Sequence, residues 1–156
     1  MKPCLNFFLL VLSRPAFALL SGFAFIKTKI TAEKTWRGSR RSSAFRAYEN
    51  ALLGSLVMMY CCKISSPRKS AAWARRIAEL TEQVFTKNPS AQEINLHNIN
   101  VGVSHFFELL PGVHRQFFET SFFVPGLLSK IKNAEGKPEA AGPDSLIIAK
   151  NNEGIY

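Results

Sequence analysis

The chain has 156 residues, 47% of which are hydrophobic, and a formal net charge of +9. This length is enough for one domain, or for less than one once an anchor and a tail are set aside. The three cysteines are Cys4 and the adjacent pair Cys61 and Cys62, and none belongs to a CxxC pattern. Because disulfide geometry rarely lets neighbouring cysteines bridge each other, the sequence favours a reducing compartment, and it offers no cysteine spacing suited to zinc.

The charge is unevenly distributed along the chain. Residues 1–76 carry 14 basic and 2 acidic side chains, whereas residues 77–156 carry 6 basic and 9 acidic side chains. This asymmetry indicates an anionic partner for the first half, either phospholipid headgroups or nucleic acid. Lipid is the simpler partner because the basic residues directly follow an apolar stretch. Alternatively, these charges bind no partner and only fix the orientation of the chain in a membrane.

An apolar stretch from Leu5 to Ile26 dominates the N-terminal region. About 20 apolar residues suffice for a helix to cross a bilayer, so residues 1–27 are predicted to form a transmembrane anchor or signal-anchor helix. Arg14 near its middle costs about 3 kcal/mol in such a helix, and Pro15 introduces a kink. Two alternatives remain open: cleavage of residues 1–18 as a signal peptide ending in Ala16-Phe17-Ala18, and a buried helix of a soluble core.

Residues 28–42 are expected to form a basic connector after this anchor. Segments rich in Lys and Arg stay on the cytoplasmic side of a membrane, which predicts a single-pass membrane protein with the bulk of its chain in the cytoplasm. The connector and the end of the anchor supply the residues predicted to bind anionic lipid, which are Lys27, Lys29, Lys34, Arg37, Arg40 and Arg41.

The fold is predicted to be all-α, with a bundle of about four helices over residues 43–132. Apolar residues recur at intervals of three and four in the segments 44–63, 67–87, 91–110 and 113–124. The wholly apolar run 51–62 is too short to span a bilayer. It is therefore expected to lie in the core or on the membrane surface. Composition shifts after residue 132, and residues 133–156 are expected to form a flexible, disordered tail.

Helix starts are marked by residues that cap free backbone N–H groups. Ser42 or Ser43 is expected to cap the first bundle helix. Ser66 followed by Pro67 indicates the start of the second. Ser90 together with Glu93 has the spacing of a capping box and predicts the start of the third helix.

Paired phenylalanines are concentrated in residues 106–123, at Phe106-Phe107, Phe117-Phe118 and Phe122-Phe123. On a helix, neighbouring side chains point about 100° apart, so one ring of each pair can enter the core while the other stays at an edge. A Phe-rich core is the simple interpretation, and an exposed aromatic patch for a partner is the functional one. The predicted partner-binding residues are Phe107, Phe118, Phe123 and Arg115.

The three histidines do not form a recognisable metal or catalytic pattern. His97, His105 and His114 are separated by eight and nine residues, which is unlike the spacing of helical metal ligands. His105 with Glu108, and His114 with Glu119, are acid–base pairs only if the fold brings them together. No metal, cofactor or catalytic set is therefore predicted.

These observations predict a non-enzymatic, membrane-anchored interaction or accessory protein whose cytoplasmic helical domain binds another protein. One alternative is a small membrane-associated enzyme or effector that uses His105 and His114. A second alternative is a nucleic-acid-binding protein that uses the basic N-terminal half. The sequence leaves the partner, the pathway and the oligomeric state open.

Overall fold

The computed structural model describes residues 2–136 and 142–149. Within these ranges the regular elements are six packed α-helices and two short 3-10 turns, with no strand, so the all-α prediction is confirmed. The helices are α1 (Lys2–Ser13), α2 (Pro15–Thr35), α3 (Ser43–Cys61), α4 (Pro67–Phe85), α5 (Pro89–Leu109) and α6 (Val124–Gly136).

Local capping explains where three of these helices begin. Ser42 caps α3 by accepting from the Phe45 N–H at 3.1 Å, and Ser66 caps α4 by accepting from the Lys69 N–H at 3.3 Å. Both caps confirm the sequence prediction. The prediction of a capping box at Ser90 is wrong, because Asn88 caps α5 instead. The side-chain oxygen of Asn88 accepts from the Ser90 N–H at 2.9 Å. Pro89 then occupies the first helical position, where its missing N–H costs nothing.

The predicted single N-terminal transmembrane helix is instead two helices, α1 and α2, bent by 109°. The break lies at Arg14, whose φ of −141° and ψ of 68° are outside the helical region. A residue before proline is driven out of the helical conformation by the proline ring. No single described helix is long and apolar enough to cross a membrane, although α1 and α2 together pass that test by length and composition.

The helix α2 also runs further than the sequence indicated. It continues to Thr35, through half of the expected connector. Trp36 follows it and packs inward, with its ring stacked on Tyr48 at a centroid distance of 5.7 Å. The Tyr48 hydroxyl lies 2.8 Å from the Thr35 hydroxyl. Burial raises the pKa of Tyr48 and outweighs the opposing effect of this hydrogen bond.

The helix α3 is the centre of the bundle and packs against α2, α4, α5 and α6. Leu52, Leu56 and Met58 are fully buried, so the apolar run 51–62 lies in the core. The closest approach is between α3 and α5, where Gly54 and Gly102 bring the two backbones together. The Ser55 hydroxyl donates to the Gly102 carbonyl at 2.8 Å within this contact.

The segment after α5 differs from its prediction. Residues 113–124 were expected to be helical, but they form two 3-10 turns, Arg115–Phe117 and Thr120–Phe122. Phe118 and Glu119 between them are extended. Pro125 and Gly126 lie in the first turn of α6, where proline is readily accepted.

Part of the expected flexible tail is packed against the bundle. Residues 137–141 and 150–156 lie outside the described ranges, but residues 142–149 run along α5 without regular secondary structure. Leu146 is only 3% exposed and belongs to the hydrophobic core. The backbone of Ile147 is hydrogen-bonded to the side chain of Asn98.

Candidate functional site

The helix α2 presents its small residues to the protein and its large apolar residues to the outside. Ala24, Thr28 and Ala32 are its only fully buried residues and lie against the bundle. The opposite face carries a stripe at positions i, i+4, i+7 and i+11, and each of its side chains is more than half exposed: Leu19, Phe23, Ile26 and Ile30. An amphipathic helix of a soluble domain has the reverse arrangement. Helices in membranes pack through small residues and direct large apolar ones toward lipid.

The hydroxyl groups of Ser21 and Thr28 in α2 are bonded within the helix itself. Thr28 donates to the Ala24 carbonyl at 2.7 Å, and Ser21 donates to the Phe17 carbonyl at 2.9 Å. Ser21 also accepts from the indole N–H of Trp73 on α4 at 2.9 Å. Because their hydroxyls need no water, these residues are compatible with an apolar environment around the helix.

The helix α1 also exposes large apolar side chains. It has no buried residue, which argues against the alternative of a core helix. One of its faces presents large apolar side chains to the outside, while Phe7 on the inner side contacts Phe85 of α4 ring to ring at 6.3 Å. We use the name N-terminal apolar surface for the exposed residues Leu5, Phe8, Leu9, Leu12, Leu19, Phe23, Ile26 and Ile30.

The six basic residues predicted to bind anionic lipid are all exposed at the C-terminal end of this surface. Lys29 forms an ion pair with Glu49 at 2.8 Å, and its ammonium group lies 5.3 Å from the centre of the Phe25 ring. Arg40 lies 3.8 Å from Glu33. Along α2, Lys27 and Lys34 lie to one side of the Ile26–Ile30 stripe and Lys29 lies to the other. Lysines that flank an apolar stripe in this way are typical of helices at a membrane surface.

The structure separates the predicted aromatic residues into buried and exposed groups. Phe118 and Phe123, expected at the surface, are buried and stack on each other at 5.6 Å. Phe107 is 37% exposed, as expected for the edge of the core. The exposed members of the other two pairs are Phe117 and Phe122. In these two pairs the first ring, and not the second, is exposed. The prediction assumed a helix, but residues 113–123 are not helical, so the rings point in other directions.

Arg115, the fourth residue predicted for partner binding, makes an intramolecular contact. Its guanidinium group donates to the Ser65 carbonyl at 2.8 Å, in the loop between α3 and α4. Gln116 donates to the Lys63 carbonyl in the same loop at 3.3 Å. The two bonds hold the first 3-10 turn against the bundle. Arg115 is therefore half-buried and bonded within the chain rather than free at a rim.

Of the two possible acid–base pairs, the fold brings His105 and Glu108 together. His105 Nδ1 lies 2.8 Å from Glu108, and Lys130 of α6 lies 3.0 Å from the other carboxylate oxygen. Burial alone would raise the pKa of Glu108, but its hydrogen bonds to His105 and Lys130 and the charge of Lys130 outweigh burial and lower it.

The position of His105 does not suit catalysis. Its side chain is only 6% exposed, and Nε2 is buried without a hydrogen-bond partner, close to Gly126. A general base must reach the proton that it abstracts, and this nitrogen has no open path to a substrate. His114, which the enzyme alternative also requires, is exposed and accepts from the Gln116 N–H at 3.4 Å.

The remaining reactive groups lie apart from any cluster. Across residues 2–136 and 142–149, no three His, Cys, Asp or Glu side chains converge as metal ligands would. Cys61 and Cys62 are buried, reduced and close to Ser21 and Ser70. Burial raises the pKa of Cys61 to about 12. A thiol with such a pKa is not a nucleophile near neutral pH.

One set of polar contacts was missed by sequence reasoning. Asn95, on the amide-rich face of α5, accepts from Asn50 of α3 and donates to Glu82 of α4, both at 2.9 Å. Asn98, on the same face, binds the backbone of Ile147. The signal was present, because polar amides concentrated on a helix that is also apolar elsewhere indicate specific buried partners. The identity of those partners depends on the tertiary fold.

The chain belongs to the family described as Domain of unknown function (DUF6973), whose family model matches residues 8–135. The matched region begins in α1 and ends in α6, so it includes both the N-terminal apolar surface and the bundle. No curated protein and no solved structure matches the chain.

Proposed function

We propose that this chain is a non-enzymatic, membrane-anchored interaction protein whose N-terminal helices attach it to a membrane and whose helical bundle binds a partner protein. The observation that carries the proposal is the arrangement of α2, with Ala24 and Ala32 facing the bundle and the stripe from Leu19 to Ile30 facing outward. Large exposed apolar surfaces mark sites of contact with a membrane or another protein.

Lipid is the partner that best suits this surface, because of the charges that border it. Each Lys or Arg close to an anionic membrane surface contributes about 1 kcal/mol of attraction. The exposed cations from Lys27 to Arg41 lie at the end of α2 and in the following loop. The charge distribution also orients the chain, since basic flanks stay in the cytoplasm. The bundle is then cytoplasmic, whether α1 and α2 cross the bilayer as a bent pair or lie in its surface.

The protein partner is proposed to bind at the exposed rings Phe107, Phe117 and Phe122. These rings border the buried aromatic cluster of Phe106, Phe118 and Phe123. The ring centroids of Phe106 and Phe118 in this cluster are 4.6 Å apart. Exposed aromatic side chains on a rigid base are frequent energetic centres of protein interfaces. Phe117 is the most exposed of the three, at 73%.

Flotation with lipid vesicles tests the membrane part of the proposal. The full chain is synthesised in a cell-free system with vesicles of phosphatidylcholine, with or without phosphatidylglycerol, and centrifuged through a density gradient. We expect the chain to float with both vesicles and more completely with the anionic ones. The variant Phe23→Gln/Ile26→Gln/Ile30→Gln should remain at the bottom, because it makes the centre of the outward stripe polar.

A matched control replaces exposed apolar residues outside this surface. Ile64 and Phe117 are 55% and 73% exposed, and the variant Ile64→Gln/Phe117→Gln should float like the unmodified chain. Equal flotation of all three proteins, or of none, would contradict the proposal. If mass spectrometry of the protein made in cells finds that residues 1–18 have been removed, the signal-peptide alternative replaces the anchor.

The nucleic-acid alternative is tested with the same protein. Replacing Lys27, Arg37 and Arg41 by glutamine should reduce the preference for anionic vesicles. Neither the unmodified chain nor this variant should bind DNA detectably. Binding to duplex DNA that falls steeply with salt would support the alternative function instead.

A further inference from the structure

The side chain of Asn98 forms a paired contact with the backbone of Ile147. Its Oδ1 accepts from the Ile147 N–H at 2.8 Å, and its Nδ2 donates to the Ile147 carbonyl at 2.9 Å. One amide group thus satisfies both backbone groups of one residue, as a neighbouring strand does in a sheet. Asn98 is 1% exposed, so its amide would have to find other partners if Ile147 were absent.

Two further contacts bind neighbouring backbone groups of the same segment. His97 Nε2 lies 2.7 Å from the Ser145 carbonyl, and it must be the donor because a carbonyl oxygen only accepts. Lys130 of α6 donates to the Asp144 carbonyl at 3.3 Å. All these bonds reach main-chain atoms rather than particular side chains. Residues 146–149 follow a turn at residues 143 and 144 and have no regular secondary structure. The bonded residues 145 and 147 alternate with the buried Leu146, as they do in an extended segment.

Selectivity for side chains comes from Leu146, which lies between the bonded residues. Leu146 is 3% exposed and belongs to the hydrophobic core, and Ile148 packs partly against that core. Backbone bonds combined with an apolar pocket for an adjacent side chain are the elements of extended-peptide recognition.

We propose that the groove formed by His97 and Asn98 of α5 and Lys130 of α6 is a recognition site for an extended apolar peptide, and that residues 144–148 are its built-in ligand. A partner can enter this groove only with an extended segment that offers the same backbone groups and a branched apolar side chain in place of Leu146. The chain's own segment competes with such a partner at a high effective concentration, because the segment and the groove belong to the same chain. The site is independent of membrane attachment.

The test uses a fluorescent peptide with the sequence of residues 142–149, GPDSLIIA. The full-length variant Ile147→Pro opens the groove, because proline has no N–H to donate to Asn98 while Leu146 is kept. We expect the peptide to bind this variant in a fluorescence anisotropy titration and to bind the unmodified chain at least tenfold more weakly. Adding Asn98→Ala to the opened variant should weaken binding at least tenfold.

The matched control is the peptide GPDSLPIA, which carries proline at the position of Ile147 and should not bind the opened variant. Hydrogen exchange gives a second measurement, whose main result comes from the unmodified full chain. The Ile147 amide should be protected, and Asn98→Ala should remove this protection. A peptide that fails to bind the opened and folded variant, or an Ile147 amide that exchanges at the rate of an unstructured peptide, overturns the proposal.

Discussion

Gly102 of α5 lies so close to Ala51 of α3 that a Cβ atom on Gly102 would be 1.8 Å from the Ala51 carbonyl oxygen. The reciprocal contact is nearly as tight, with a Cβ atom on Gly54 placed 2.1 Å from the Ile99 carbonyl oxygen. The two glycines therefore set the distance between the central helices. This closeness allows the Ser55 hydroxyl to reach the Gly102 carbonyl across the interface.

The first prediction is that Gly54→Ala or Gly102→Ala strongly destabilises the bundle. The added methyl group would collide with backbone atoms, which cannot move without separating α3 from α5. We expect each substitution to lower the free energy of unfolding by about 3 kcal/mol or more, at the upper end of the cost of overpacking a core. Urea unfolding of the full chain in mild detergent, followed by circular dichroism, measures the change.

Gly22 of α2 provides the control for this prediction. A Cβ atom at Gly22 would have no neighbour within 4 Å, and alanine restricts the unfolded chain more than glycine does. Gly22→Ala should therefore raise the free energy of unfolding by about 0.5–1 kcal/mol. A loss from Gly22→Ala as large as that from Gly102→Ala would show that the close backbone contact between α3 and α5 does not explain the result.

The second prediction concerns Gly126 and His105. A Cβ atom at Gly126 would lie 2.5 Å from Cε1 and 2.6 Å from Nε2 of His105. The ring has little freedom to move away, because it is buried and bonded to Glu108. We expect Gly126→Ala to lower the free energy of unfolding by about 1–3 kcal/mol, measured by the same unfolding experiment.

A double-mutant cycle separates this collision from a general effect of alanine at the start of α6. In a His105→Ala background the added methyl group has space, so Gly126→Ala should cost much less there. Gly112→Ala is the surface control, because the nearest atom to its added Cβ is the Leu109 carbonyl oxygen at 3.7 Å. Strictly additive effects of the substitutions at His105 and Gly126 would contradict the close contact.

The extent to which the sequence predicted this structure depends on how local each signal is. Ser42 and Ser66 cap helices through bonds to residues three positions away, and both caps were predicted correctly. The capping box at Ser90 is just as local but was wrong, because the neighbouring Asn88 caps α5 instead. The break at Arg14 is equally local and follows from Pro15, but the direction of α1 depends on distant contacts such as Phe7 with Phe85. The contact of Asn98 with Ile147 joins residues 49 positions apart, and no local pattern specifies it.

The aromatic cluster shows a different limit. The paired phenylalanines indicated that one ring of each pair would be buried, which holds for Phe118 and Phe123. The choice of ring depends on backbone conformation, because an extended residue at 118 directs its side chain differently from a helical one. The exposed ring of Phe117 could not be identified until the 3-10 turn at Arg115–Phe117 was known.

The third prediction is that one of the three cysteines reacts with a thiol reagent in the folded protein. Cys4 is exposed, whereas Cys61 and Cys62 are buried. Burial raises the pKa of Cys61 to about 12, assisted by the neighbouring Cys62, and burial also raises the pKa of Cys62. Because the thiolate is the reactive form, a small membrane-permeant maleimide at pH 8 should label Cys4 alone.

Mass spectrometry of the intact chain counts the labels. One label is expected for the folded protein and three after unfolding in guanidinium chloride, while Cys4→Ser should remain unlabelled until it is unfolded. Rapid labelling of two or three cysteines in the folded protein would mean that the interface between α2, α3 and α4 opens readily.

The fourth prediction is that the contribution of Glu108 to stability is lost at acidic pH. The pKa of Glu108 is lowered from 4.5 in the folded protein, because bonds to His105 and Lys130 outweigh the effect of burial. A carboxyl group with a lowered pKa binds fewer protons in the folded than in the unfolded chain, so its stabilising effect is complete well above pH 4.5. The effect decreases as the pH falls through the folded pKa. The difference in Tm between the unmodified chain and Glu108→Gln should therefore be largest near pH 7 and should shrink once the pH has fallen below 4.5.

Lys130→Gln removes the cation that contacts the same carboxylate at 3.0 Å, so combining the two substitutions should cost less than the sum of their separate effects. A Tm difference that stays constant from pH 7 to pH 3, or fully additive effects of the two substitutions, would show that Glu108 stabilises the protein by packing rather than by its charge.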